Sequence, residues 1–148
     1  MTDVLIALPA EALQTVGFVA DALPGVLTVN AALRGFGHRR VFRWNLSLLI
    51  DCGALAGHRL PSSAEQQVLR GVETDLRRRF EADGNALFAA RLTHDGSHEL
   101  IWRVHDAQRA RQEIQALIDS TACPREFSAR LDDDPPWERV AEFLAQAG

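Results

Sequence analysis

The sequence has no lysine and no tyrosine, and all 16 of its basic residues are arginine. We interpret this as codon bias in a GC-rich genome. Its only two cysteines, Cys52 and Cys123, form no C-x-x-C pair, which argues against a disulfide scaffold and a cysteine metal site. No apolar run approaches the ~18 residues of a membrane span, and the first residues lack the basic region of a signal peptide. We therefore expect a cytoplasmic protein that needs no cofactor.

The sequence lacks the features of several classes of function. It contains no G-x-S-x-G, Walker or dinucleotide-binding pattern. The net charge of −4 argues against nucleic acid as a partner, because phosphate binding requires clustered positive charge. At 148 residues, the chain is expected to form a single domain over 1–148.

Hydrophobic periodicity predicts most of the secondary structure. The predicted elements are a helix over 10–22, strands over 26–33 and 40–50 that pair as a hairpin, a helix that begins at Ser62 and is ended by Asp83-Gly84, strands over 87–93 and 97–104, a helix over 107–119, a strand over 125–131 and a helix over 135–146. The Ser62-x-x-Glu65 pattern is a capping box at the start of the second helix.

Between residues 40 and 131 these elements follow the order βαββαβ, which is the split βαβ, or ferredoxin-like, order of an α+β fold. This topology places the strand 40–50 antiparallel to the strand 125–131 and brings Cys52 close to Cys123. Two helices then cover one sheet face. The other face is left to solvent, to the C-terminal helix or to a partner, and exposed apolar residues there would mark an interface, such as that of a homodimer. Residues 1–34 form an N-terminal extension of the core at 40–146.

A hairpin is predicted around His94-Asp95-Gly96, as a three-residue loop with Gly96 in the left-handed conformation. This register places Arg91 opposite Glu99 as a favourable cross-strand pair. It also sorts five apolar residues onto one face: Phe88, Ala90, Leu92, Leu100 and Trp102.

The motif Asp132-Asp133-Asp134-Pro135-Pro136-Trp137 is typical of a helix start. Asp134 is expected to cap the free backbone N–H groups, and Pro135 to occupy the first helical position, where its missing N–H costs nothing. Trp137 is expected to anchor the last helix. Trp102 and Gly96 are the other residues to which we assign a structural role.

The Pro-Ser-x-x-Glu helix start at 61–65, the glycine-turn hairpin, the aromatic strand through Trp102 and the Asp-Asp-Pro-x-Trp motif followed by Phe143-Leu144 resemble the bacterial domain of unknown function 695. The resemblance covers roughly residues 40–146 and implies a fold, because the family has no established activity. A looser resemblance in size and predicted topology points to the regulator of ribonuclease E activity B, which binds another protein.

Two hypotheses for function follow. Arg70, Arg77 and Arg78 form a basic patch on one predicted helix, which would suit an acidic partner segment in a non-enzymatic binding or regulatory module. The alternative is a small metal-dependent or hydrolytic enzyme that uses His94, Asp95 and His98 around the hairpin turn.

Overall fold

The computed structural model describes residues 6–146 and contains a six-stranded antiparallel sheet with three α-helices. The strands are β1 (Leu13–Ala20), β2 (Leu23–Asn30), β3 (Trp44–Asp51), β4 (Ala86–His94), β5 (Ser97–Val104) and β6 (Phe127–Asp133), and the helices are α1 (Ser63–Phe80), α2 (Ala107–Ser120) and α3 (Glu138–Gln146). The strand order is β1-β2-β4-β5-β3-β6. The fold is therefore mixed α+β, with two more strands than the predicted βαββαβ unit. The first five residues of the predicted N-terminal extension lie outside the described part of the chain.

Helices α1 and α2 cover one face of the sheet over β3, β4 and β5. Their apolar stripes pack on alternate residues of these strands, with Leu76, Phe80 and Trp102 at most 2% exposed. As the sequence predicted, β3 pairs antiparallel with β6. Cys52 and Cys123 are half-buried free thiols that pack against this same core.

The start of α1 follows only half of the predicted capping box. The Ser62 hydroxyl accepts the backbone N–H of Glu65 at 3.2 Å. The buried Glu65 carboxylate accepts instead from the Gly53 N–H at 2.6 Å and from both sides of the Arg125 guanidinium. These hydrogen bonds, Arg125 foremost, lower the pKa of Glu65 from 4.5 to about 2. Glu65 therefore ties α1 to the loops that follow β3 and precede β6.

The prediction of a helix over 10–22 is wrong, because this segment forms β1 and turns directly into β2. The two-residue turn is Asp21–Ala22, and both residues have positive φ, 52° and 62°, as a type I′ turn requires. Phe18 lies opposite Gly25, and a Cβ on Gly25 would come within 2.3 Å of its ring. Since alanine occupies the turn position that usually holds glycine, the sequence lacks the normal hairpin signal.

The predicted hairpin between 26–33 and 40–50 is also wrong. β2 pairs with β1 and β4, whereas β3 lies between β5 and β6. The segment between β2 and β3 contains two short 3₁₀ helices, Ala31–Gly35 and Arg39–Phe42, which cross the face opposite α1. The hairpin β1–β2 therefore extends the sheet beyond β4.

The β4–β5 hairpin has a different register from the predicted one. Its turn has two residues, Asp95 and Gly96, so that His94 pairs with Ser97. The additional residue is a β-bulge at Ala89, where the Asn30 side chain donates to the Phe88 carbonyl at 3.0 Å. The prediction assigned the additional residue to the turn.

The bulge changes which residues share a face between Ala89 and the turn. Phe88 remains opposite Trp102 as predicted, but Arg91 lies opposite Leu100 rather than Glu99. Ala90 and Leu92 therefore belong to the core on the other face, away from Phe88, Leu100 and Trp102.

Helix α3 and the two 3₁₀ helices cover this second face over β2, β4 and β5, which the sequence analysis left open. Trp137 has no exposed surface, and its indole N–H donates to the Arg39 carbonyl at 2.9 Å. The fully buried Arg103 of β5 lies over the Trp137 ring at 4.7 Å and donates to Asp134 at 3.0 Å. Asp134 also accepts the backbone N–H groups of Glu138 and Arg139, the first residues of α3. The prediction that Pro135 is the first helical residue is wrong, because Pro135 lies in the turn that precedes Glu138.

Replacing Ala22 by glycine is expected to stabilise the protein by about 0.5–1 kcal/mol, because glycine adopts positive φ without the steric penalty that alanine incurs there. Urea unfolding would measure the change. The same substitution at Ala20, within extended β1, should destabilise the protein, and an equal effect at the two positions would contradict the role of the turn.

Trp137→Ala is expected to lower the free energy of unfolding by about 3–5 kcal/mol, since it removes a fully buried ring and leaves a cavity. Asp132→Asn is the matched control from the same motif. Within residues 6–146 its half-exposed carboxylate pairs with the exposed Arg130 alone, so its loss should cost less than about 1 kcal/mol. Similar losses for the two variants in urea unfolding would contradict the anchoring role of Trp137.

Candidate functional site

A cleft of about 440 Å³ lies between α1 and the sheet, and we refer to it as the α1 cleft. It arises because α1 packs over β4 and β5, while β2 continues the sheet beyond the helix. Its residues come from three places: Leu60 and Pro61 before α1; Gln66, Leu69, Arg70, Glu73 and Thr74 on α1; and Val26, Thr28, Arg91, Thr93 and His98 on the strands.

An ion pair crosses the α1 cleft. Arg91 of β4 donates to both carboxylate oxygens of Glu73 on α1, at 2.6 and 2.7 Å, with 29% and 14% of the two side chains exposed. The bulge at Ala89 brings Arg91 to this face. The paired charges cancel, so this contact fixes α1 on the sheet and contributes no net charge to the cleft.

His98 forms part of the cleft floor and is 5% exposed. Its Nδ1 is hydrogen-bonded to the Thr93 hydroxyl at 2.8 Å. Burial lowers the pKa of His98 from 6.5 to about 4, with Glu73 opposing the shift and Arg91 adding to it. At neutral pH the ring is therefore uncharged, and it serves as a packing and hydrogen-bonding group.

The three arginines of the predicted basic patch have different surroundings. Arg70 is exposed at the cleft, and within residues 6–146 it forms no ion pair. Arg77 is bound by Glu81 and Glu11, at 2.7 and 2.6 Å. Arg78 is 72% exposed and forms an ion pair with Asp75.

The histidines of the alternative hypothesis do not converge. His98 faces the α1 cleft, whereas His94, next to Thr93 in β4, faces the opposite side, where it bonds the Ala20 carbonyl at 2.8 Å. Asp95, in the turn, pairs with Arg59. Over the described range 6–146, no three His, Cys, Asp or Glu side chains are arranged to hold a metal ion.

A second groove, of about 400 Å³, lies on the α3 side of β3 and β6. Glu99 is its most buried charge, and it accepts hydrogen bonds from the Ser47 hydroxyl and from Arg139 of α3, the latter at 3.1 Å. The sequence paired Glu99 with Arg91. The bulge at Ala89 places the two residues on opposite faces of the sheet. Arg91 therefore pairs with Glu73 of α1, and Glu99 pairs with Arg139 of α3.

Residues 17–145, which are most of the chain, match the model of DUF695, a family of unknown function. The chain belongs to the DUF695 family. The match begins within β1 and ends in α3, so it includes the second half of β1 and all of β2, which lie outside the predicted core at 40–146. Neither a curated protein nor a solved structure matches this DUF695 chain. None of the helices described over residues 6–146 is long and apolar enough to cross a membrane.

Most of the residues that form the α1 cleft were not predicted from the sequence. Thr28, Arg91 and Thr93 face it only because of the bulge at Ala89 and because β2 pairs with β4. The one available signal was Asn30, the polar residue that ends β2, whose side chain satisfies the backbone at the bulge.

His98 is expected to remain neutral in the folded protein down to about pH 5, because protonation would place a charge in a buried site. Proton NMR titration of the ring would show a midpoint near 4. The unfolded chain binds this proton more readily, so His98 should make the free energy of unfolding fall as the pH is lowered from 6.5 towards 4. A midpoint near 6.5 in the folded protein would contradict this assignment.

Proposed function

We propose that this chain is a non-enzymatic binding module whose α1 cleft receives an acidic segment of a partner protein. The observation that carries the proposal is the position of Arg70 at the cleft. The other two charges of the cleft, Arg91 and Glu73, neutralise each other, and His98 is neutral. Arg70 therefore gives the cleft a net positive charge on a chain whose net charge is −4.

The chemistry of the lining suits a polypeptide. The exposed Gln66 and Thr74 offer hydrogen-bonding groups, while the half-buried Leu60 offers apolar contact at one end. The volume lies within the ~300–1,000 Å³ of ligand sites. An extended segment could place a carboxylate against Arg70, because a guanidinium binds a carboxylate through two parallel hydrogen bonds.

We also infer that β3, α1, β4, β5, α2 and β6 form a split βαβ, or ferredoxin-like, unit to which β1 and β2 are added. The order β4-β5-β3-β6 and the antiparallel pairing of these strands support this inference. The looser similarity to the regulator of ribonuclease E activity B favours a regulatory role by analogy of fold. The free thiols of Cys52 and Cys123 fit a reducing compartment such as the bacterial cytoplasm.

No enzymatic function is proposed for His94, Asp95 and His98. His94 and His98 face opposite sides of the sheet, and Asp95 is paired with Arg59.

Arg70→Gln is expected to abolish or strongly reduce binding of the partner, because it removes the unpaired positive charge of the cleft. The measurement is affinity capture from a lysate of the native host, with quantitative mass spectrometry of the proteins retained by wild type and variants. Proteins retained through Arg70 should carry acidic segments and should be released by salt, which screens such contacts.

Arg78→Gln is the matched control, since it removes the same charge from the same helix at a position paired with Asp75. It should retain the same proteins as wild type, and Arg70→Lys should restore part of the binding. Equal retention by wild type, Arg70→Gln and Arg78→Gln would contradict the proposal, as would the absence of any specifically retained protein.

A further inference from the structure

The two edges of the sheet differ in how they are protected against pairing. Edge strand β6 carries three charged residues, Arg130, Asp132 and Asp133, which discourage the addition of another strand. Edge strand β1 has eight residues and neither a charge nor a proline. Over residues 6–146, β1 is paired on one side only, with β2. This edge lies beyond the α1 cleft and is independent of Arg70.

The register of the β1–β2 hairpin shows which backbone groups face outward. In a two-residue hairpin the residues that flank the turn exchange both hydrogen bonds, here Ala20 and Leu23. Even-numbered residues of β1 therefore bond to β2. The odd-numbered residues direct their N–H and C=O groups to the open edge; these are Leu13, Thr15, Gly17 and Val19.

The same four residues place their side chains on the α1 side of the sheet, where none of the helices described over residues 6–146 covers the hairpin. All four are exposed, Leu13 by 43% and Val19 by 75%. Val26 of β2, which lies opposite Gly17, is 40% exposed and continues this apolar surface.

We propose that the β1 edge binds the β1 edge of a second copy of this chain. The two strands pair antiparallel about a two-fold axis at Val16, so that the two sheets become one continuous sheet of twelve strands. This register pairs all four outward-facing residues: Leu13 with Val19 of the second copy, and Thr15 with Gly17 of the second copy.

A second copy suits this edge for two reasons. The register places the two exposed apolar side chains, Leu13 and Val19, directly opposite each other, so that each covers the other. A shift of the axis by one residue to either side would instead place Leu13 opposite Asp21 or Val19 opposite Glu11. No charge lies within β1. Just beyond the strand ends this register brings Glu11 level with Asp21 of the second copy, and Glu11 is already neutralised by Arg77 at 2.6 Å.

The variant Gly17→Lys tests the proposal. A Cβ at Gly17 would lie 3.9 Å from its nearest neighbour, the Gly25 carbonyl, so the folded monomer can accept a side chain. In the dimer the two introduced ammonium groups would lie on either side of the two-fold axis and repel each other. Gly17→Thr is the matched control, because it adds a β-branched side chain at the same position without charge.

Sedimentation velocity over a wide range of concentration would measure the oligomeric state, with circular dichroism to verify folding. We expect wild type and Gly17→Thr to convert from monomer to dimer as the concentration rises, because a single strand pair is a small interface. Gly17→Lys should remain monomeric. Wild type that stays monomeric throughout, or Gly17→Lys that dimerises as wild type does, would overturn the proposal.

The position of the axis has its own test. Position 16 lies on the axis and is therefore opposite position 16 of the second copy, in a non-hydrogen-bonded pair whose Cα atoms are ~4.5 Å apart. Val16→Cys should therefore form an intermolecular disulfide on oxidation. Gln14→Cys should not, since position 14 faces position 18 of the second copy. Cross-linking at position 14 but not at 16 would overturn the register.

Discussion

The fully buried guanidinium of Arg103 holds the second layer of this protein together. It projects from β5 into the face opposite α1, donates to the side chain and the carbonyl of Asp134 and to the Phe42 carbonyl, and lies over the Trp137 ring. Burial lowers the pKa of Arg103 to about 10, and the hydrogen bond and charge of Asp134 oppose that shift. Because a buried charge is costly without a partner, the turn before α3 must return to this strand. Asp134 then also caps α3, and one carboxylate fixes both the end of β6 and the start of the last helix.

The β-bulge at Ala89 has a comparable effect on the other face. One additional residue reverses the direction of every later side chain in β4, so that Arg91 reaches Glu73 on α1 and Glu99 is left to Arg139 on α3. Arg91 and Glu99 therefore form their ion pairs with helices on opposite faces of the sheet. The α1 cleft and its neutral histidine depend on this local irregularity, which the side chain of Asn30 stabilises at the Phe88 carbonyl.

The sequence predicted those elements whose signals are local. The apolar stripe and serine cap of α1 were recognisable from periodicity and capping residues, and the antiparallel pairing of β3 with β6 followed from the order of the elements. The hairpin β1–β2 was missed because Ala22 occupies a left-handed position that normally carries glycine. The bulge was missed because one additional residue in a hairpin can lie either in a bulge or in a longer turn, and the local sequence is the same in both cases. Only the contact with the neighbouring strand β2 shows that the residue lies in a bulge at Ala89.

By itself the sequence determined approximately where the three α-helices lie, that Trp102 and Trp137 have structural roles, and that the Asp-Pro-Pro-Trp motif precedes the last helix. These properties follow from the periodicity and chemistry of adjacent residues. The tertiary structure alone decided the partners of Arg91 and Glu99, the separation of His94 from His98, the position of Arg70 at a cleft, and the uncharged edge of the sheet. Each of these depends on how distant strands align, and a shift of one residue between strands exchanges the two faces of a sheet without altering the local sequence pattern.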